Sequence, residues 1–330
     1  MKVYIVGAGA VGTYLGDLLQ GVNVDITYAP RQLADVIPVD ADVAIVAVKA
    51  YDTDSAIETL KKALPFPQKC VFVSPQNGIG NEEKLGAAFG EDNVVAAALT
   101  IPVDRRDGGH GRAVREGGGI AFAPMGKNAY NWLNATFASS GIRVHVVHDW
   151  RGLKWSKLAL NIVANATCAI LNVLPNRLVH FGDVFTLEIR AIREVRAVMH
   201  AMSIAPIDLP RYPVRMLQNV ATLPSPVARR LLASRVAGAR GTKAPSLLSD
   251  LRANKAQTEV AFLNGAVASA GRDHGVRTPV NAVFARVLED IAHMPQLWAK
   301  YRERPDALAA EVEAEVARVK ALAKATHAPS

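Results

Sequence analysis

The stretch KVYIVGAGAVGTYLGDLL, residues 2–19, decides the fold. A short apolar run, Val3–Val6, stops at glycine, and a Gly-x-Gly-x-x-Gly pattern then opens a segment with helical spacing, Val11–Leu19. In this setting the first glycine permits a tight turn, the second lets backbone approach a pyrophosphate, and the third lets helix and strand pack closely. The helix N-terminus adds N–H groups that attract phosphate. A glycine-rich turn without a ligand is the alternative. We predict a dinucleotide-binding loop formed by Gly7, Gly9, Ala10, Val11 and Gly12.

The next 80 or so residues repeat this alternation of strand and helix. Apolar strands are expected at Val24–Ala29, Asp42–Val48, Cys70–Ser74 and Val94–Ile101, with an amphipathic helix at Thr53–Leu64. Continuous apolar strands separated by helices indicate a parallel sheet covered on both faces. We therefore predict the α/β class, with a Rossmann-type doubly wound sheet at the N-terminus.

The rest of the chain changes character. Residues 104–126, including Asp107, predict turns around short antiparallel strands, and Arg143–Val147 predicts a last strand. A helix is expected before that last strand, at Leu133–Ser139. From Leu153 onward the pattern is helical, and the expected helices include Val184–Met202, Leu247–Ala270 and a solvent-facing one at Asp306–Ala325. We place a boundary near Asp149, giving a dinucleotide-binding domain at 1–149 and an all-helical domain at 150–330.

Composition and charge narrow the class of partner. The 330 residues are 50% hydrophobic and 21% charged, which excludes general disorder. The first 100 residues carry 7 Lys/Arg and 12 Asp/Glu, a net charge of −5, while the remainder carries 31 and 18, a net charge of +13. A basic second half suits an anionic small molecule, and without a tight basic run with interleaved aromatic residues we expect no nucleic-acid partner.

Cysteine usage and the lengths of the apolar runs bear on the compartment. Cys70 and Cys168 each lie in an apolar stretch, which is typical of reduced, buried thiols and predicts a cytoplasmic protein. We expect no signal peptide, because the N-terminal apolar run is too short. The sequence contains no run of about 18 apolar residues, so we expect no membrane-spanning helix. We also expect no metal site.

The end of the second strand bears on the choice of dinucleotide. NAD enzymes usually place an acidic residue there to hold the ribose 2′-hydroxyl. Here the strand ends Tyr28-Ala29-Pro30-Arg31, and the nearby carboxylate, Asp25, lies at its start. A guanidinium suits a 2′-phosphate, so we predict NADPH/NADP⁺ with Arg31 as a contact, an ordinary surface arginine being the alternative.

Polar residues follow the next two predicted strands. Lys49 ends one and Gln76-Asn77-Gly78 ends the other, at the edge where doubly wound sheets bind ligands. An Asn-Gly pair can also be a simple turn. Two successive strand ends nevertheless favour a shared crevice that contains Lys49 and Asn77.

Residues 155–165, WSKLALNIVAN, are the most informative part of the second half. Lys157, Asn161 and Asn165 are spaced four apart and are expected along one helix face. Because an unpaired buried amide costs about 1–3 kcal/mol, the pattern indicates either a hydrogen-bond network between domains or a lysine held in front of a ligand. In the second case burial would lower the pKa of Lys157 and prepare it for proton transfer. Lys154 competes for this role, but at that spacing it is matched with Leu158.

A second polar group lies further along the chain. Ser246 follows a proline, and Glu259 sits in the predicted helix Leu247–Ala270, where a carboxylate needs a partner. Taken alone, Glu259 could equally be a helix cap or a salt-bridge residue.

In this order the motifs resemble the ketopantoate reductase (2-dehydropantoate 2-reductase) family over nearly the whole chain. The resemblance rests on Gly7-x-Gly9-x-x-Gly12, Val48-Lys49-Ala50, Asn77-Gly78-x-Gly80, Trp155-x-Lys157 with its two asparagines, and Ser246…Thr258-Glu259. It implies a Rossmann domain, a helical domain and an active site in the cleft between them. It also implies NADPH-dependent reduction of a small anionic 2-keto acid, ketopantoate, to pantoate for pantothenate and coenzyme A synthesis.

The resemblance also implies roles for particular residues. Lys157 would be the general acid that protonates the ketone oxygen, and Glu259 would accept a hydrogen bond from the substrate hydroxyl. The implied substrate-binding residues are Asn77, Asn161, Asn165 and Ser246, and the implied cofactor contacts beyond the glycine loop are Arg31, Lys49, Asn77 and Glu259. A homodimer through the helical domain is implied by analogy alone.

Three features depart from the family pattern. Only ten residues separate Arg31 from Asp42, where the family has a longer segment with another strand, so the adenosine end of the site would be more open. The Asp250–Glu259 segment is one residue longer than expected. A further asparagine of the family could match Asn172 or Asn176.

Three other functions stay open at this point. They are reduction of another small 2-keto acid, a β-hydroxyacid dehydrogenase activity, and a non-catalytic NADP(H) sensor. Asn77-Gly78 and Thr258-Glu259 favour the reductase over the dehydrogenase, and Lys157 favours an enzyme over a sensor.

Overall fold

The computed structural model describes residues 1–105, 109–115, 117–128, 130–240 and 243–325, and these form nine strands and fourteen α-helices joined by loops and short 3₁₀ turns. The strands are β1 (Lys2–Val6), β2 (Asp25–Tyr28), β3 (Val43–Val46), β4 (Val71–Ser74), β5 (Val94–Leu99), β6 (Val103–Arg105), β7 (Gly111–Ala113), β8 (Ile120–Pro124) and β9 (Val144–Val146). The first helices are α1 (Ala10–Gln20), α2 (Thr53–Ala63), α3 (Asn81–Phe89) and α4 (Asn131–Ser139). The later helices are α5 (Trp150–Ile162), α6 (Ala166–Leu171), α7 (Pro175–Leu178), α8 (Gly182–Ala201), α9 (Val214–Thr222), α10 (Ser225–Arg240), α11 (Ser246–Arg252), α12 (Asn264–Asp273), α13 (Pro279–His293) and α14 (Pro305–Ala325).

Seven of the strands form one sheet in the order β2-β1-β3-β4-β5-β8-β9. Strands β1 to β5 pair in parallel, β8 runs antiparallel to β5, and β9 runs parallel to β8. The predicted α/β class with a doubly wound sheet is confirmed. Strands β6 and β7 form a separate antiparallel pair that packs against α1, while the turns predicted around Asp107 lie outside the described residues.

The alternation of side chains along each strand builds a core on both faces of the sheet. Val3 and Ile5 of β1 pack on one face with Leu15 of α1, and Tyr4 packs on the other with Leu60 of α2. All five side chains are buried. Burying an aliphatic side chain of this size contributes about 1.5–3 kcal/mol, which explains why strands with apolar residues on both faces take the central positions.

The connection between β2 and β3 is short, as predicted. Between Tyr28 and Val43 the structure has a 3₁₀ turn, Leu33–Asp35, and neither a strand nor an α-helix. Strand β2 is therefore the edge of the sheet.

The chain divides into two compact units. The first comprises Met1–Lys157 together with Pro206–Pro213, and the second begins at Leu158 and contains the later helices. The return of Pro206–Pro213 to the first unit is fixed by Ile207, whose backbone N–H donates to Oγ of Ser156 at 2.7 Å. Nothing in the sequence predicted this return, and the division at residue 149 stays a prediction about domain organisation.

The predicted continuous helix Leu247–Ala270 is wrong. Helix α11 ends at Arg252 and α12 begins at Asn264. Asn254 between them has a φ of 54°, in the left-handed region, which cannot continue an α-helix. A 3₁₀ turn, Glu259–Phe262, leads into α12. In the part of the chain that the structure describes, no helix combines the length and apolar character needed to cross a membrane.

Candidate active site

The glycine loop between β1 and α1 is so tightly packed that two of its glycines cannot be replaced freely. Gly7 has a φ of 107°, and a Cβ there would lie 2.7 Å from the backbone carbon of Ala47 and the backbone nitrogen of Val48. A Cβ on Gly12 would lie 1.9 Å from the carbonyl oxygen of Gly7. These two glycines therefore let the loop close against the chain that follows β3.

Gly9 differs from the other two glycines of the motif. A Cβ at Gly9 would meet no heavy atom of the described residues within 4 Å, and its backbone is extended at φ −82° and ψ −173°. Gly9 is also the N-cap of α1, where no side chain caps the helix and the first turn holds no acidic residue. Open space in front of an uncapped helix N-terminus fits the pyrophosphate of a dinucleotide.

The two charged residues near β2 that bear on the choice of dinucleotide lie at opposite ends of the strand. Strand β2 begins at Asp25, which pairs in register with Lys2, so the carboxylate lies at the end away from the glycine loop. Arg31, three residues after Tyr28, is exposed. Its guanidinium is therefore accessible to a phosphate.

The ends of β3 and β4 lie together, as the shared-crevice interpretation requires. Lys49 is half-buried and precedes a 3₁₀ turn, and Asn77 is half-buried on the loop between β4 and α3. Nε2 of Gln76 donates to the carbonyl of Val48 at 3.2 Å, which joins the two loops. Since the backbone of Gly7 also packs on that of Val48, the residues that follow β3 contact both the glycine loop and the loop after β4.

Sequence reasoning missed a buried ion pair beside Asn77. Nζ of Lys154 lies 2.8 Å from Oε1 of Glu82, and both side chains are 1% exposed. The Lys154 ammonium also donates to the carbonyl of Gln76. The available signal was the apolar setting of Lys154, between Leu153 and Trp155 and four residues before Leu158, because a lysine buried among apolar residues requires a charged partner.

Lys157 lies one turn further along α5 and is half-buried, in contrast to Lys154. Asn161 follows four residues later in the last turn of the same helix and is also half-buried. This part of the predicted helix face is confirmed, because residues four apart share a face.

The expectation that Asn165 continues the same helix face is wrong. Helix α5 ends at Ile162, Ala164 has a φ of 50°, and Asn165 is the N-cap of α6. Oδ1 of Asn165 accepts from the backbone N–H of Leu247 at 3.2 Å, and its Nδ2 donates to Oγ of Ser246 at 3.4 Å. Two predicted substrate-binding residues, Asn165 and Ser246, are thus brought together at the N-terminus of α11.

Glu188 of α8 holds this helix break in place. Its Oε2 accepts from the backbone N–H of Ala164 at 2.8 Å, and its Oε1 accepts from the hydroxyl of Thr167. The carboxylate therefore satisfies donors at the start of α6, which would otherwise be buried without partners.

Glu259 is buried and begins the 3₁₀ turn, not the interior of an α-helix. The residue before it, Thr258, is extended, and its hydroxyl accepts from the backbone N–H of Val260 at 3.4 Å. The break before this turn removes any helical phase between Ser246 and Glu259.

The two candidates for a further asparagine differ in setting. Asn172 ends α6 with a φ of 54°, and its Oδ1 accepts from Nε of Arg252 at 2.9 Å. Asn176 is exposed on α7. Asn172 is therefore the one tied to α11, the helix that Ser246 begins.

Each unit carries a distinct chemical set. The first holds the glycine loop, cationic groups at Lys49 and Lys157, and the amide of Asn77. The second holds the paired Asn165 and Ser246 and the buried carboxylate of Glu259. A glycine loop of this geometry in the same unit as a lysine suits an oxidoreductase that uses a nicotinamide dinucleotide.

Comparison with known proteins identifies the family. The model described as "Ketopantoate reductase PanE/ApbA" matches residues 26–127, and the one described as "Ketopantoate reductase PanE/ApbA C terminal" matches residues 149–292. A 2-dehydropantoate 2-reductase from Pyrobaculum aerophilum is 32% identical over 250 residues, covering 76% of this chain and 77% of that protein. Another from Archaeoglobus fulgidus is 27% identical, covering 88% and 97%.

Solved structures show the same fold. A PanE/ApbA family ketopantoate reductase from Ralstonia eutropha JMP134 matches with a TM-score of 0.73 and 26% identity, over 90% of this chain and all of that one (100%). D-mandelate dehydrogenase in complex with NADH matches with a TM-score of 0.72 and 18% identity over 88% of this chain and 99% of that one, which shows the fold alone. A dimeric ketopantoate reductase from Staphylococcus aureus matches with a TM-score of 0.65 and 19% identity over 90% and 100%, again showing the fold alone.

Fold and family together define an oxidoreductase with a Rossmann-like domain. The chain belongs to the ketopantoate reductase (PanE/ApbA) family.

Proposed function

We propose that this protein is an NADPH-dependent 2-dehydropantoate 2-reductase, which reduces ketopantoate to pantoate. The observation that carries the proposal is the pairing, within one unit of a family member, of an open phosphate-binding loop at Gly9 with the lysine at 157 and the amide of Asn77. The curated relatives that match most of the chain carry this activity in their names.

The reaction needs a hydride on the keto carbon and a proton on its oxygen. When bound, NADPH supplies the hydride. We assign the proton to Nζ of Lys157, because a positioned ammonium stabilises the negative charge that develops on the oxygen and then neutralises it. The resulting neutral amine regains its proton from water before the next turnover.

We assign the substrate's polar groups to side chains of the second unit. Ser246, held by Asn165, would bind the substrate carboxylate, and the Glu259 carboxylate would accept a hydrogen bond from the substrate hydroxyl. Asn161, one turn from Lys157, would orient the substrate. Each assignment follows the family motif at that position.

We assign the preference for NADPH to Arg31 and Lys49. The exposed guanidinium of Arg31 would bind the 2′-phosphate, and no carboxylate in the sequence 28–31 would repel it. The short connection after β2 leaves this end of the site without the additional strand of the family pattern, so we expect Arg31 to supply much of the discrimination.

The biological setting follows from the same proposal. Pantoate would enter pantothenate and coenzyme A synthesis, and the two buried cysteines, Cys70 and Cys168, fit the reducing cytoplasm. We also propose a homodimer, which the molar mass in solution measured by light scattering would test.

The deciding experiment follows the loss of NADPH absorbance when purified protein is mixed with ketopantoate, other small 2-keto acids or no substrate, with NADH in parallel. Rapid turnover on ketopantoate with NADPH is the expected result. Turnover on a different 2-keto acid alone would reassign the substrate. Tight NADPH binding without turnover on any of them would favour a sensor over an enzyme.

A further inference from the structure

A charged pair lies buried at the carboxyl edge of the sheet and belongs to none of the roles assigned above. Lys154 and Glu82 are each 1% exposed, with 2.8 Å between Nζ and Oε1. Removing two charges from water costs several kcal/mol per ion, and well-packed apolar residues often stabilise a fold equally well. Oε2 of Glu82 also has no hydrogen-bond partner among the described residues, which adds the cost of taking that oxygen out of water. Stability alone therefore does not explain the pair.

The contacts of the pair connect α5 with the chain on either side of the loop after β4. Oε1 of Glu82 accepts from Oγ of Ser74, the last residue of β4, at 2.6 Å. The Lys154 ammonium donates to the carbonyl of Gln76, which belongs to the peptide group that joins Gln76 to Asn77. The pair thus holds the backbone immediately before Asn77 against the helix that carries Lys157.

The backbone after Asn77 is held from the opposite side. Nδ2 of Asn81 donates to the carbonyl of Asn77 at 3.0 Å, and Oδ1 of Asn81 accepts from the hydroxyl of Thr53 at 2.8 Å. Nε2 of Gln76 donates to the same hydroxyl at 2.9 Å. Buried side chains therefore fix both peptide groups that flank Asn77.

From this geometry we propose that Lys154 and Glu82 are positioning residues of the active site. They fix the loop that presents Asn77 relative to α5, and so fix Asn77 relative to Lys157 one turn along. The inference rests on the proposed function for the roles of Asn77 and Lys157. Neither member of the pair contacts the substrate in this assignment, so its effect on the reaction is indirect.

The test uses a double variant, because either single change leaves a buried charge alone and endangers folding. Lys154→Met with Glu82→Gln removes both charges at similar volume. We expect kcat on ketopantoate to fall about tenfold or more, because small displacements of positioned groups have effects of this size. The KM for NADPH should change less than about twofold, because the glycine loop, Arg31 and Lys49, which supply most of the implied cofactor contacts, are not altered. The matched control is Lys61→Met with Glu58→Gln, an exposed ion pair of α2 with 2.9 Å between its charged atoms, which should leave both constants unchanged.

A second readout does not depend on the reaction. Amide hydrogen exchange of the peptides covering residues 75–82 should be faster in the double variant than in the wild type and in the control, since the loop loses its attachment to α5. Wild-type exchange in this segment would overturn the inference, as would wild-type kcat in an active enzyme. If the wild-type protein itself fails to reduce ketopantoate, the proposed function fails, and the exchange rates alone then decide whether the pair holds the loop.

Discussion

Two lysines stand three residues apart on α5 in very different surroundings. Lys154 is fully buried, and its Nζ contacts the carboxylate of Glu82 and the backbone carbonyl of Gln76, which hold the side chain in place. Lys157 is half-buried and lies one turn further on. A proton donor must reach both the substrate and water, and the half-buried position meets this requirement better than the fully buried one.

The first prediction concerns the proton donor. Lys157→Ala should lower kcat on ketopantoate by about 10²–10⁴-fold, the usual contribution of general acid catalysis, with little change in NADPH affinity. Steady-state kinetics and titration of NADPH fluorescence measure the two quantities. Lys84→Ala, which removes a lysine of α3 paired with Asp54, is the control and should change neither. Near wild-type kcat in Lys157→Ala would show that another group donates the proton.

The end of helix α5 before Asn165 could not be predicted from the residues of that stretch. The sequence Val163-Ala164-Asn165-Ala166 contains nothing that ends a helix, since alanine is the best helix former. The left-handed turn at Ala164 is held by Glu188, a residue of another helix 24 positions further on. The sequence shows that Asn165 is a polar residue in an apolar stretch. Only the folded structure shows that its hydrogen-bond partner is Ser246.

At the scale of elements, two glycines of the loop between β1 and α1 should respond differently to substitution, because Gly12 is tightly packed and Gly9 is not. Gly12→Ala would place a Cβ 1.9 Å from the carbonyl oxygen of Gly7, and we expect the free energy of unfolding to fall by about 2–4 kcal/mol. Gly9→Ala meets no described atom and keeps an ordinary φ, so stability should change by less than about 1 kcal/mol while NADPH binds about tenfold or more weakly. Urea unfolding and NADPH fluorescence titration compare the two variants. Unchanged NADPH affinity in Gly9→Ala would place the phosphates elsewhere.

Helix α14 is attached to α13 and to the turn after it through one carboxylate. Glu311 accepts from Lys300 at 2.6 Å, from Arg286 at 2.9 Å and from the hydroxyl of Tyr301 at 3.1 Å. The hydrogen bonds from Lys300 and Arg286 lower the pKa of Glu311 to about 2. Because the pKa in the folded protein lies below its usual value of 4.5, the stabilisation is present above about pH 4.5 and is lost as the pH falls toward 2.

We therefore predict that Glu311→Gln lowers the free energy of unfolding at neutral pH by about 1–2 kcal/mol, because its partners Arg286 and Lys300 are half exposed and solvent weakens the interaction. The difference from the wild type should shrink between about pH 4.5 and 2, as the wild-type carboxylate becomes protonated. Urea unfolding over this pH range measures it. Glu313→Gln, on the same helix with Arg190 as its ion-pair partner, is the control and should have little effect. A difference that is independent of pH would contradict the role given to the charge.

The strands were the most predictable elements. Val43–Val46 and Val71–Ser74 are buried along their whole length, so an uninterrupted apolar run between polar loops indicates them directly. The later helices were less predictable at their ends. The break after Arg252 depends on a left-handed residue, Asn254, in a stretch whose composition permits a helix.

At the scale of the whole molecule, cofactor binding should appear as stability. A ligand that binds only the folded protein, present at 100 times its Kd, raises the free energy of unfolding by about 2.7 kcal/mol. NADPH should therefore raise the melting temperature by several degrees, and NADH at the same concentration by less. Thermal unfolding followed by circular dichroism measures both. Arg31→Ala should reduce the shift with NADPH to the level of NADH, and equal shifts in the wild type would exclude recognition of the 2′-phosphate at Arg31.

Family and fold were within reach of the sequence because their motifs are local, but the arrangement around Asn77 was not. Glu82 and Lys154 are 72 positions apart, and their pairing depends on how α3 and α5 pack in the first unit. The return of Pro206–Pro213 to that unit is a similar case, since its bond to Ser156 spans 51 positions. Such contacts follow from tertiary structure, which periodicity and spacing alone do not specify.

Among the described residues, strand β2 pairs with β1 alone, so its other side presents a row of backbone donors and acceptors to which a strand of another molecule could bind. Several features oppose such sheet extension and the aggregation that follows from it. Strand β2 is only four residues long, Asp25 puts a charge at its start, and Pro30, just beyond its end, offers no N–H group. Because the connection after β2 does not form the next strand, β2 is exposed at the edge of the sheet, and these features protect it against pairing with another molecule.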